Sequence, residues 1–122
     1  MNKEFIPYEQ SLALKELGFD EPCLAYYDAE KVFKFPGTTM CNRNFLDLLT
    51  VTAPLYQQAF RWMREKHGVY SSIFFEDDTK YYYQFNDIDG IVTLNTGHKT
   101  YEEAEQACLD KLIVICKAKT RQ

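Results

Sequence analysis

Between residues 70 and 94 the large apolar side chains recur at a spacing of two, the period of a β-strand. In Lys80-Tyr81-Tyr82-Tyr83-Gln84-Phe85 the alternation puts Tyr81, Tyr83 and Phe85 on one face and Tyr82 with Gln84 on the other. Ile73 and Phe75 share one side of the preceding segment, and Phe74 takes the other. Neither face is plainly polar, so a sheet of these segments needs two covers: helices on one face, and on the other either the N-terminal half of the chain or a partner or ligand. The pattern predicts strands over about 70–76, 81–85 and 91–94, joined by hairpin turns at Glu76-Asp77-Asp78-Thr79 and Asn86-Asp87-Ile88-Asp89-Gly90.

Helical periodicity flanks this region. Thr52-Ala53-Pro54 opens a helix with Pro54 in its first turn, and Leu55, Ala59, Trp62, Met63 and Lys66 trace one side of it until Gly68 stops it. Thr100-Tyr101-Glu102-Glu103 is a capping box: the Thr100 hydroxyl accepts from the Glu103 amide while the Glu103 carboxylate reaches back. The helix that follows runs to about residue 117 and turns Ala104, Ala107, Cys108, Leu112 and Ile115 inward. Lys117, Lys119 and Arg121 gather at its C-terminal end, where positive charge is favoured.

The first half is shorter in its elements. Pro7 suits a first helical turn, Leu12, Leu14 and Leu17 form a partial apolar stripe, and Gly18 sits where a left-handed cap belongs, which predicts a helix over about 7–17. Cys23-Leu24-Ala25-Tyr26-Tyr27 and Lys31-Val32-Phe33-Lys34-Phe35 read as a strand pair turned at Asp28-Ala29-Glu30. Phe45-Leu46-Asp47-Leu48-Leu49 fits either a strand or a helical turn. The expected order is αββ(β/α)αβββα: one α+β domain spanning 1–122, small antiparallel sheets with helices on one face, its halves at 1–50 and 52–117.

At 122 residues the chain is long enough to bury a core of its own. Hydrophobic residues make up 46% and charged residues 26%, which excludes disorder and fibrous classes. Aromatic content, 16% with nine Tyr and nine Phe, is what changes the picture: tyrosine-rich surfaces bind, and aromatic-rich cores fill small domains. The net charge of −4 and the lack of any basic run argue against a dedicated nucleic-acid binder. No stretch approaches the roughly 20 apolar residues of a membrane span, and Met1 to Pro7 has no long apolar run of the secretory kind, so a cytoplasmic location is expected.

Candidate chemistry is sparse. Cys23, Cys41, Cys108 and Cys116 form no C-x-x-C pair, and with two histidines they make no zinc pattern, so reduced, packed thiols are expected. Asp87-Ile88-Asp89-Gly90 has the core of a calcium loop but lacks a third early oxygen ligand and the late glutamate; a turn with Gly90 at positive φ explains it. Cys41 is the best nucleophile available, with Arg43 near to favour a thiolate, yet it needs His67 or His98 as a base, and both fall where solvated histidines are ordinary. Neither a catalytic motif nor a cofactor signature is present. Arg61, Trp62, Arg64 and Lys66 form the one cationic, aromatic segment, with Arg61 and Arg64 outward and Trp62 inward.

The αβββα order of residues 52–117 resembles the double-stranded RNA-binding domain, whose two helices pack on one face of a three-stranded antiparallel sheet. That family meets RNA through a lysine-rich start to its last helix. Here the matching stretch is Thr100-Tyr101-Glu102-Glu103-Ala104-Glu105, whose charge is inverted, so the resemblance implies the packing without the double-stranded RNA binding. Three further segments, Phe5-Ile6-Pro7-Tyr8-Glu9-Gln10, Leu14-Lys15-Glu16-Leu17-Gly18-Phe19-Asp20-Glu21-Pro22-Cys23 and Ala53-Pro54-Leu55-Tyr56-Gln57-Gln58-Ala59-Phe60-Arg61-Trp62, resemble a group of small uncharacterised proteins of Bacteroides-like bacteria and their phages. That likeness implies an origin near mobile elements.

The expectation is a non-enzymatic cytoplasmic interaction protein, phage-associated, acting through its aromatic sheet or the helix bearing Arg61 and Arg64, on a protein partner or a second copy. One alternative is a binder of a small anionic ligand or nucleotide in which Tyr81, Tyr82, Tyr83 and Arg43 line a pocket. Another is an enzyme using Cys41.

Overall fold

The structure, a computed structural model, describes residues 4–35, 50–77, 80–86 and 92–120. The Phe45–Leu49 segment, Cys41, Arg43 and the Asp87–Gly90 loop lie outside the described residues. The fold is α+β with two small antiparallel three-stranded sheets, and the chain divides into two compact units, 1–59 and 60–122.

In the first unit, α1 (Tyr8–Glu16) starts after an extended Pro7 and ends in a Schellman turn. Gly18 at φ 99° lets its own amide reach the Lys15 carbonyl and the Phe19 amide reach Leu14 at 2.9 Å. The inward face of α1 differs from the expected leucine stripe: Leu14 is buried, but its buried neighbours are Gln10 and Ser11. Both polar side chains are satisfied, Ser11 donating to the Ile6 carbonyl at 3.4 Å and Gln10 accepting from the Tyr56 hydroxyl at 3.5 Å.

The sheet of this unit has the order β2 (Phe33–Lys34), β1 (Ala25–Tyr27), β3 (Val51–Ala53). Asp28 shapes the β1 to β2 turn by accepting from the amides of Glu30 and Val32, and Lys31 takes φ 68°. β3 corrects the sequence reading, which placed Thr52 and Ala53 at the start of a helix. The β-branched pair Val51-Thr52 extends and pairs with Tyr27 and Tyr26, and Pro54 follows the strand instead of opening the helix. Phe5, Ala25 and Ala53 form one buried cluster of this unit, with Leu24, Tyr27, Phe33 and Leu55 packed against it.

The helix therefore begins later, as α2 (Tyr56–Trp62), and widens into a π-helical turn over Met63–His67 that Gly68 ends at φ 67°. In the second unit β4 (Tyr70–Asp77), β5 (Lys80–Asn86) and β6 (Val92–His98) form a meander in that order. β6 runs four residues beyond its expected end at Leu94.

α3 (Tyr101–Thr120) starts at the expected box. Thr100 Oγ1 accepts from the Glu103 amide at 3.1 Å, and the Glu103 carboxylate accepts from the Lys99 amide, also at 3.1 Å. Ala104, Cys108, Leu109, Leu112, Ile113 and Cys116 are buried, a helical stripe that packs α3 on the sheet. Behind it the Cys116 thiol donates to the Met63 sulfur at 3.5 Å, joining the π-helical turn to α3.

Candidate functional site

β4 lies at one edge of its sheet, and among the described residues its one strand neighbour is β5. The register with β5 is unbroken from Tyr70 opposite Asn86 to Phe75 opposite Tyr81, then shifts before Asp77. Alternation along these six residues sends Tyr70, Ser72 and Phe74 to one face and Ser71, Ile73 and Phe75 to the other. The second face carries α3, for Ser71 hydrogen-bonds Cys108 and the Tyr81 ring meets Tyr101 edge-on at 6.3 Å.

On this strand the aromatic side chains stay in solvent on both faces. Tyr70 is 58% exposed, Phe74 40% and Phe75 67%. Phe74 leans on Tyr82 at 5.3 Å and Phe75 on Tyr81 at 6.3 Å, so each has one aromatic neighbour across the strand pair and an open outer side. Edge strands are ordinarily guarded by lysine, proline, a bulge or a very short length. Tyr70-Ser71-Ser72-Ile73-Phe74-Phe75 has no charge, no proline and no bulge, and it spans about 20 Å. The inner end of the open face is a shallow depression of about 120 Å³ lined by Tyr70, Ser72, Gln84 and Asn86 among others. Small-molecule pockets run from about 300 Å³ upward, so this hollow suits the contour of a larger surface.

The tyrosines singled out in the sequence do not converge. Tyr83 is buried against α3, stacked between Phe85 and His98; burial, with Cys108 and Asp110 beside it, raises its hydroxyl pKa. Tyr81 sits half-buried on the same face, and Tyr82 lies on the opposite one. Arg61 and Arg64 are exposed, with Arg61 paired to Glu65 at 3.7 Å. Arg43 and Cys41 lie outside the described residues.

Both histidines are more enclosed than their sequence positions suggest. His98 ends β6, half-buried with its ring on Tyr83 at 5.7 Å, where a solvated turn was expected, because β6 continues past Leu94. His67 packs edge-on to Trp62 at 4.9 Å.

The titratable groups inside the units are poor nucleophiles. Burial pushes the Cys23 thiol up to about 12, with Glu21 adding to the rise and a Gln58 hydrogen bond opposing it. Burial likewise takes Cys108 to about 12, reinforced by Glu105 and opposed by Ser71. Glu105 is raised to about 7 by burial and then by the Glu102 carboxylate. Among the described residues no group of three His, Cys, Asp or Glu side chains is placed to hold a metal ion, and no helix is long and apolar enough to cross a membrane.

Residues 70–75 are legible in the sequence as a strand but not as an edge strand with exposed aromatic side chains. A strand's place in its sheet follows from chain order in space, and a run of six uncharged residues with three aromatics was the one available signal. No family model, curated protein or solved structure matches this chain.

Proposed function

We propose that the protein is a non-enzymatic cytoplasmic interaction protein whose docking surface is the outer edge of β4. The carrying observation is an edge strand whose residues 70–75 carry no charge, proline or bulge, with Tyr70, Phe74 and Phe75 exposed on its two faces. A strand laid beside β4 satisfies its outward amides and carbonyls and covers aromatic side chains above and below the sheet together. A ligand on one face would leave at least one of the three uncovered. A phage-associated setting is part of this reading and rests on the segment resemblances alone.

The test is the Phe74→Lys variant, which sets a charge on the open face without touching the face under α3. Wild type and variant, both tagged, are compared by affinity capture with quantitative mass spectrometry and by native mass spectrometry. A stoichiometric partner or self-assembly present with wild type and lost with Phe74→Lys is expected. Identical profiles from the two proteins would defeat the reading.

A further inference from the structure

We propose that the occupant of the β4 edge is β4 of a second copy, paired antiparallel about a twofold axis through Ser72. The inference rests on the docking reading above and adds the partner's identity. In an antiparallel pair, directly opposed residues point to the same face. A twofold axis perpendicular to the sheet therefore sets one residue against itself and each neighbour against its mirror position.

Centred on Ser72, the register opposes Ser71 to Ile73 of the second copy and Tyr70 to Phe74 of the second copy, each pair occurring twice. Tyr70 and Phe74 are the two exposed aromatics of the open face, so each gains the cross-strand aromatic neighbour that its outer side lacks. Every position paired over residues 70–74 is uncharged. Registers centred on Ile73 or Phe74 instead bring acidic position 76 into the ladder against Tyr70 or Ser72.

Charge thus excludes the registers centred further along the strand, and the mutual pairing of Tyr70 with Phe74 selects Ser72 as the centre. Charge also selects the partner class: a chain of net charge −4 meets its own copy with least repulsion along a neutral segment, and residues 70–75 are such a segment. The β4-β5-β6 sheets of the two copies become one sheet of six strands, and the edge along residues 70–75 is covered.

The experiment uses the full chain. Sedimentation equilibrium from about 5 to about 200 µM is expected to move the mass from 14.4 kDa toward twice that value, since so short a contact supports micromolar association. Ser72→Lys sets two ammonium groups face to face on the axis and should weaken association at least about ten-fold, with an unchanged far-ultraviolet spectrum. In a Cys41→Ser background, Ser72→Cys should oxidise to a disulfide-linked dimer, because residues on the axis lie within bridging distance. Gln84→Cys, opposite Ser72 but on the middle strand, should not.

A monomer throughout the concentration range overturns the proposal. So does a dimer that survives Ser72→Lys at full strength or fails to cross-link through position 72. If the chain is monomeric and Ser72→Lys abolishes capture of a different protein, self-pairing falls and the docking reading stands; if Ser72→Lys changes neither property, both fall.

Discussion

Replacing Glu105 by glutamine should stabilise the second unit above pH 7 and leave it unchanged near pH 4. Glu105 lies half-buried on the first turns of α3, three residues after Glu102, and its pKa is raised from 4.5 to about 7, first by burial and then by the neighbouring carboxylate. Below the unfolded value both states hold the proton and Glu105 adds no pH dependence. Between about 4.5 and 7 the folded state binds a proton that the unfolded chain has released, so stability falls as pH rises through this window. Above it the loss is complete.

A rise of this size sets a ceiling of about 3 kcal/mol on that loss, and the solvent that still reaches the carboxylate reduces it to about 1 kcal/mol. Glutamine keeps the shape and removes the charge. Trp62, the sole tryptophan and 3% exposed, reports on the second unit. Urea unfolding followed by its fluorescence at pH 8 should show the Glu105→Gln midpoint raised by an amount worth about 1 kcal/mol, and at pH 4 the two curves should coincide. An equal shift at both pH values would mean that the change acts through packing, and a lowered midpoint at pH 8 would refute the burial argument altogether.

Three further outcomes follow from local geometry. Thr100→Ala removes the hydroxyl that accepts from the Glu103 amide and should cost about 1 kcal/mol in the same unfolding assay; an unchanged midpoint would contradict the capping role. Cys23 and Cys108, with thiols near 12, carry about a thousandfold less thiolate at pH 8 than an ordinary cysteine, so native-state alkylation read by mass spectrometry should leave both unlabelled until the chain is unfolded; labelling at the rate of a free peptide thiol would show that they are accessible. Duplex RNA should not be retarded at physiological salt, since Glu102, Glu103 and Glu105 open α3 where phosphate would have to dock; salt-sensitive retardation at micromolar protein would overturn this.

What the sequence disclosed depended on whether the deciding interaction was local. The capping box, the Gly18 and Gly68 caps and the period-two aromatic strands each rest on residues a few positions apart, and each stands in the structure where the residues put it. β3 was missed because Ala53-Pro54 mimics a helix start, while the pairing of Val51 and Thr52 with β1 is made across more than 20 residues. The inner face of α1 was misread because burial of Gln10 and Ser11 depends on the Tyr56 hydroxyl and the Ile6 carbonyl, which supply their hydrogen bonds. His98 followed the same rule: its ring partner Tyr83 belongs to another strand.

The candidate site is the extreme case of this dependence. Phe74-Phe75 and Tyr82-Tyr83 are near-equivalent strings, each sending one ring to either face of the sheet. In the middle strand, Tyr83 is covered by α3 and Tyr82 is half-covered, with β4 and β6 pairing on either side. In the edge strand the same pattern leaves Phe74 and Phe75 in solvent, and among the described residues no strand pairs with its outer side. The difference between the covered strand and the exposed one therefore resides in strand order. Its local mark in the sequence is negative: six residues without the lysine, proline or bulge that ordinarily guard a solvated edge, the composition that the proposed pairing requires.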